Sequence, residues 1–216
     1  MSPASTALLV IDMQRDFLDP GGYAAAARLD VDALRRTIPA IQHLLAAARR
    51  LGMLVVHTRE GHRPDLSDCP PAKLARSRAA GAEIGSAGPL GRLLVRGEFG
   101  HDFIDELQPI PGETVIDKPG YGAFHQTDLA QILQNRGIDH LILGGVTTEV
   151  CVHSTLREAV DRGYGCVLAA DACGSAYPHL HAAALQMVAV EGGVFGRVAD
   201  SGTLVAELEQ VREARP

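Results

Sequence analysis

The chain has 216 residues, 46% of them hydrophobic and 21% charged, with 23 glycines and 12 prolines, a balance that excludes a disordered or low-complexity polypeptide. At this length one core and one domain, residues 1–216, are expected, because single cores stop growing only beyond roughly 250 to 300 residues. A formal charge of −6 and a pI near 5.8 argue against the broad basic face that nucleic-acid backbones require, and no apolar run approaches the ~20 residues of a membrane span. Residues 1–6 lack the basic, then apolar, order of a signal peptide, so a cytoplasmic location is expected.

Short apolar runs alternate with helical stretches, the pattern of an α/β fold with a parallel sheet. Residues 7–11 form a wholly apolar run suited to a strand buried on both faces, and it stops at Asp12. Leu34, Ile38, Ile41, Leu44, Leu45 and Ala48 recur at helical spacing across 31–51, and Gly52 closes that helix. Residues 53–57 form strand two. From 58 to 111 the chain is irregular and proline-rich, with at most short helices; so long a connection usually serves function. Strand three, 114–117, ends on Lys118. A helix over 128–135 stops before Gly137, and strand four is 140–144. Residues 145–152 turn from that strand into a helix running to Arg162. Strand five is 166–170, followed by a helix over 180–190, a short sixth strand at 193–195 and a closing helix at 203–212. Cys69, Cys151, Cys166 and Cys173 form neither a CxxC pair nor a disulfide framework, so reduced thiols are expected.

In open parallel sheets the ligand crevice lies outside the carboxyl ends of the strands. Asp12, Lys118 and Cys151 all fall at that edge. An acid, an amine and a thiol are the parts of an activated thiolate: an ammonium and a helix N-terminus favour the ionised thiol, and a carboxylate accepts its proton. The helix beginning near Thr147 supplies the dipole, together with backbone N–H groups for a developing oxyanion. The combination points to acyl transfer. Taken singly, Asp12 also reads as a turn cap, Lys118 as a solvated lysine and Cys151 as an inert buried thiol.

Residues 7–17 (ALLVIDMQRDF), 117–124 (DKPGYGAF) and 145–152 (GVTTEVCV), in that order across nearly the whole chain, resemble the three signatures of isochorismatase-like cysteine hydrolases. The resemblance implies a three-layer sandwich, with a six-stranded parallel sheet between helices, and assembly as a homodimer or homotetramer. It places the catalytic trio at Asp12, Lys118 and Cys151, and a cis peptide at Val146–Thr147. With Cys151, that turn would hold the oxyanion. Members that hydrolyse the vinyl ether of isochorismate resemble this chain at the Asp and Lys positions but lack the cysteine. Cys151 therefore favours the amidase branch, whose substrates include nicotinamide, N-carbamoylsarcosine, ureidoacrylate, biuret and triuret.

Nicotinamidases carry an Asp-x-His and a further His after strand two, around a metal. Here Glu60 and His62 offer two such groups and no histidine follows until His101, so neither metal nor cofactor is expected. Residues 57–68, 97–102 and 192–196 resemble the biuret and triuret hydrolases more than the ureidoacrylate hydrolases. That branch commonly has a glutamine before the paired glycines, where this chain has Glu191. A carboxylate there would accept N–H bonds from a ureido end or lie in solvent. Substrate contacts are expected from Phe17, Arg59, Phe124 and Glu191. Phe17 and Phe124 would line the pocket or plug its edge; Arg59 and Arg63 would bind a carboxylate or hold Asp65 and Asp68 of their own loop. Cys69, Cys166 and Cys173 lack a helix start with a charged partner, and 81–91 lacks the context of a phosphate loop. The expected activity is hydrolysis of a small linear, ureido-type amide through a thioester, with release of ammonia. Alternatives are a nicotinamidase-like amidase, a vinyl ether hydrolase using Asp12 without covalent chemistry, and a non-catalytic scaffold.

Overall fold

The computed structural model describes residues 1–213; residues 214–216 of the domain read from the sequence lie outside the described residues. Its frame is a six-stranded sheet of β1 (Thr6–Ile11), β2 (Leu54–Glu60), β3 (Thr114–Lys118), β4 (His140–Val146), β5 (Gly165–Gly174) and β6 (Arg197–Ala199). All neighbours are parallel, in the order β3-β2-β1-β4-β5-β6. The helices are α1 (Ile38–Leu51), α2 (Pro71–Ala79), α3 (Leu129–Asn135), α4 (His153–Asp161), α5 (Pro178–Val188) and α6 (Ser201–Glu213), with shorter turns between them. Among the described residues no helix is long and apolar enough to cross a membrane.

Every residue of β1 is buried, because the strand is covered on both faces. Its side chains alternate between two cores. Leu8 and Val10 join Ile41, Leu44 and Leu45 of α1 and Leu204 and Leu208 of α6. Ala7, Leu9 and Ile11 join Leu129 and Leu133 of α3, Leu156 of α4 and Val188 of α5. The three-layer sandwich expected from the sequence is therefore present.

β1 and β4 are neighbours from which the strand order runs in opposite directions, and such a switch point opens a crevice at the carboxyl ends. Gly145 lets β4 approach there: its φ is 128°, and a Cβ at this position would lie 2.0 Å from the Ile11 carbonyl oxygen.

The sixth strand falls later than the pattern suggests. Val190–Gly193 closes a helical turn, with Glu191 and Gly192 at φ 52° and 76°, so residues 193–195 do not reach the sheet. The chain joins it only after Gly196, where a Cβ would lie 2.2 Å from the Cys166 carbonyl oxygen. The irregular connection after β2 contains α2 and is tied to the core from below. Gln14 donates to the carbonyls of Glu60 (3.0 Å) and His101 (2.9 Å) and accepts the Glu60 N–H (2.7 Å).

Glu113, just before β3, ties α1 to β2. It accepts from Arg49 at 2.8 and 2.9 Å and from the Ile110 N–H at 3.0 Å, and it meets the buried His57 ring at 2.9 Å. Burial pushes its carboxyl up, but Arg49, the Ile110 N–H and His57 together outweigh burial and hold it at about 2, against an ordinary 4.5. The folded-state value is depressed, so this stabilisation is complete above about pH 4.5 and is lost as pH falls towards 2. Glu113→Gln should lower the urea midpoint near neutral pH, with wild type and variant converging across that window; a gap undiminished in acid would contradict the assignment.

Candidate active site

Asp12 ends β1 in a left-handed conformation, φ 53°. Its N–H donates to the Thr58 carbonyl at 3.1 Å, and the Thr58 hydroxyl donates to its Oδ1 at 2.6 Å. Lys118, the last residue of β3, is fully buried; its Nζ stands 2.8 Å from Asp12 Oδ2 and donates to the Gly120 carbonyl at 3.0 Å. Cys151 lies in a wide π-helical turn, Thr148–Val152, that leads from β4 into α4. The peptide before that turn, Val146–Thr147, is cis. The Thr147 carbonyl accepts from the N–H groups of Val150 and Val152, both at 3.2 Å, which fixes the turn. Three strand ends thus bring the expected acid, amine and thiol into one crevice.

A fourth strand end adds a group that the sequence reading took only as half of a metal pair. Glu60 closes β2 and pairs in register with Lys118. Its Oε2 accepts the Cys151 thiol at 3.2 Å and lies 3.6 Å from Lys118 Nζ; its Oε1 stands 2.6 Å from Lys73 Nζ. Lys73, on α2, also donates to the Pro119 carbonyl at 2.6 Å and rides over the Tyr121 ring. Glu60 closes a strand that runs three residues beyond the 53–57 expected, through the polar residues Thr58 and Arg59, so its place at the strand end has no apolar signal. Lys73 has none either, because only the folding of the long connection carries it here.

Burial raises the Asp12 carboxyl, with Glu60 adding to the effect and Lys118 opposing it. Burial acts on Glu60 in the same sense, but there Lys118 and Lys73 prevail and the carboxyl ends below its ordinary value. Burial opposes the charge on Lys118, yet Asp12, Cys151 and Glu60 hold it raised. The Cys151 thiol is pushed well up: burial leads, Lys118 opposes, and the two carboxylates reinforce burial. The surroundings therefore make this thiol harder to ionise than an ordinary cysteine, the opposite of what Lys118 and a helix dipole alone would produce.

The thiol opens on a cavity of about 300 Å³. Phe17, Tyr23, Ile84, Leu94 and Tyr121 line it beside Glu60, Lys73 and Thr147. Phe17 thus stands where the sequence reading puts it, and three other expected contacts do not. Arg59 turns away to Asp117 (2.7 and 3.2 Å) and Asp102 (3.2 Å), acids of other segments, and covers the Phe103 ring. Phe124 is buried in the second core and stacks on Tyr164. Glu191 is exposed on the turn before β6, beside the amino ends of β4 and β5, at the opposite edge of the sheet from Cys151.

Ligand atoms of Asp12, Glu60 and Cys151 lie within 4.8 Å of one another, a spacing that a cation could bridge. Lys118 and Lys73 already occupy both carboxylates, and His62 Nδ1 faces Asp68 at 3.2 Å, so the donor set fits a metal poorly. Since Lys118 is the cation opposing the rise of the thiol, Lys118→Ala should move the pH profile of Cys151 alkylation upward by about one unit or more. An unmoved or lowered profile, with the fold intact by circular dichroism, would remove Lys118 from this role.

Residues 6–201 match the isochorismatase domain family. The chain is similar to a cysteine hydrolase from Pseudomonas syringae pv. phaseolicola 1448A, 27% identical with a TM-score of 0.83, over 98% of this chain and 95% of that one. An isochorismatase family protein from Desulfovibrio vulgaris subsp. vulgaris str. Hildenborough is 30% identical with a TM-score of 0.79, over 95% and 98% of the two chains. An N-carbamoylsarcosine amidase from Thermoplasma acidophilum is 26% identical with a TM-score of 0.70, over 91% and 96%. With the domain matched from residue 6 to residue 201, this protein belongs to the isochorismatase family of hydrolases.

Proposed function

We propose that the protein is a cysteine amidohydrolase that cleaves a C–N bond of a small linear amide of the ureido type, through a thioester and with release of ammonia. The observation that carries this reading is the buried Cys151 thiol, held between two carboxylates and beside Lys118 at the sheet's carboxyl edge. The likeness to an N-carbamoylsarcosine amidase supports the ureido class.

In this mechanism Asp12, the carboxylate whose proton affinity burial raises, takes the thiol proton as Cys151 Sγ attacks the substrate carbonyl carbon. Lys118 stays charged throughout, opposing the charge of the thiolate and fixing Asp12. Backbone N–H groups of Thr147 and Cys151 hold the oxyanion. The tetrahedral adduct collapses as Asp12 returns its proton to the leaving nitrogen, and ammonia departs from the thioester. Water then loses a proton to Asp12 and adds to the thioester carbonyl; the C–S bond breaks, and the proton on Asp12 restores the thiol. Assembly as a homodimer or homotetramer belongs to the same reading. Tyr177, which also lines the cavity, is exposed with Leu180, Met187 and Val190 in one apolar stretch.

Ammonia release measured over biuret, triuret, ureidoacrylate, N-carbamoyl amino acids and nicotinamide should find a ureido compound as the best substrate. Cys151→Ser should cut that turnover by several orders of magnitude, and acid quenching should trap an acyl adduct on Cys151 in the wild type. A Ser variant that keeps most of the activity, or an adduct on another cysteine, would overturn covalent catalysis here.

A further inference from the structure

Glu60 takes no part in the sequence of steps above, yet among the described charged groups it is the one that accepts the Cys151 thiol in a hydrogen bond. Its Oε2 accepts the thiol at 3.2 Å, while Oε1 is held by Lys73 at 2.6 Å. When the thiol ionises, Oε2 loses its donor and faces the thiolate at that same separation, inside a buried site. Like charges so placed repel far more strongly than in water. Lys118 stands 3.6 Å from Oε2, beyond hydrogen-bond distance, and also has the new thiolate charge to oppose. Ionisation beside Glu60 therefore calls for a new donor on Oε2.

The substrate brings one. The nitrogen of a scissile amide is one bond from the carbon that Cys151 attacks, so it arrives within reach of an oxygen that already touches the sulfur. Phe17, Ile84 and Leu94 of the cavity wall carry no donor, and Tyr23, Tyr121 and Arg76, which share that wall, form no hydrogen bond to Glu60. We propose that Glu60 is the acceptor for the N–H groups of the scissile amide, that Lys73 positions it, and that the thiol ionises most readily against a substrate carrying such N–H groups. The proposal rests on the amidohydrolase reading and deepens it. Substrates would be primary amides and ureas with a free NH₂ on the carbonyl that is cleaved. Esters and N,N-disubstituted amides, which leave Oε2 without a donor, would be poorer substrates. The acceptor role that the sequence pattern suggested for Glu191 thus falls to Glu60.

The two carboxylates next to the thiol are driven apart, Asp12 upward and Glu60 downward, as expected when one carries a proton and the other remains an anion. The titratable and charged groups facing the thiol and Glu60 are Asp12 just after β1, Lys118 of β3, Lys73 and Arg76 of α2, and Tyr23 and Tyr121 of the cavity wall. His62 and Cys69 beyond Glu60, and Glu149 at the rim, also face them.

The test uses two uncharged alkylating agents of similar size, iodoacetamide with an amide N–H and methyl iodoacetate without one. Relative to a free thiol, Cys151 should prefer iodoacetamide, and Glu60→Gln should lose that preference by roughly tenfold, the scale of a hydrogen bond to a charged group. In the same variant the alkylation profile with methyl iodoacetate should move to lower pH, because a like charge has left the thiol; loss of a merely structural residue would not lower it. Lys73→Met, which frees the Glu60 carboxyl to take up a proton, should make the iodoacetamide preference fall with acid over a range where the wild type keeps it. Should Glu60→Gln fail to fold, Glu60→Asp keeps the charge but withdraws it, and an intermediate preference is expected. Ammonia release by the wild type with an unchanged preference and profile in Glu60→Gln would overturn the Glu60 assignment alone. No ammonia release from any amide by the wild type would overturn the amidohydrolase reading and this proposal with it.

Discussion

A balance of buried charge governs this site: Asp12 and Glu60 against Lys118 and Lys73, with a neutral thiol among them. Each ion would be costly to bury alone, and each is tolerated because the opposite sign sits within hydrogen-bonding distance of it. Passing the thiol proton to Asp12 leaves the net charge unchanged but moves a negative charge onto the sulfur, directly against Glu60. In the proposed mechanism a thiol so enclosed gives up its proton most readily when a bound group compensates on Glu60, so that the nucleophile is quiet at rest and is activated by what binds.

The sheet makes the balance possible. Three of the four charges are on or immediately after the last residues of adjacent strands, β1, β2 and β3, and parallel register sets them side by side. The fourth comes from α2, in the long connection after β2, which Gln14 ties to the carbonyls of Glu60 and His101. Cys151 enters across the switch point, on the turn beyond β4. Residues distant in the chain converge because strand ends converge, and the connection that looked irregular supplies one of the ions.

That geometry explains what could be read from the residues and what could not. The apolar run of β1 ending at Asp12, the helical spacing across 31–51 and the strand ending on Lys118 are local signals, and the fold and the expected trio follow from them. Glu60 was visible but ambiguous, since Glu60 with His62 also resembles part of a ligand set; only the ammonium of Lys73 on its Oε1 decides between the two uses. Arg59, one position earlier on the pleated strand, points to the other side and is taken by Asp117 and Asp102. The sixth strand escaped because the left-handed turn at Glu191 and Gly192 delays the chain, and Glu191 is carried to the amino edge with it. Phe124 was misplaced for a different reason: a motif gives adjacency in sequence, and here the ring turns from the crevice into the second core.

Two carboxylates within reach of one thiol could share a proton or divide the work, and the surroundings favour division. Asp12 has one lysine and is raised; Glu60 has two and is lowered. Carbon-13 NMR of the carboxyl groups, assigned with Asp12→Asn and Glu60→Gln, measures this directly. Asp12 should take up a proton at a higher pH than Glu60, with Glu60 ionised throughout the range in which the enzyme works. A Glu60 carboxyl that titrates above Asp12, or a single proton spread equally over the pair, would contradict the division on which the chemistry is built.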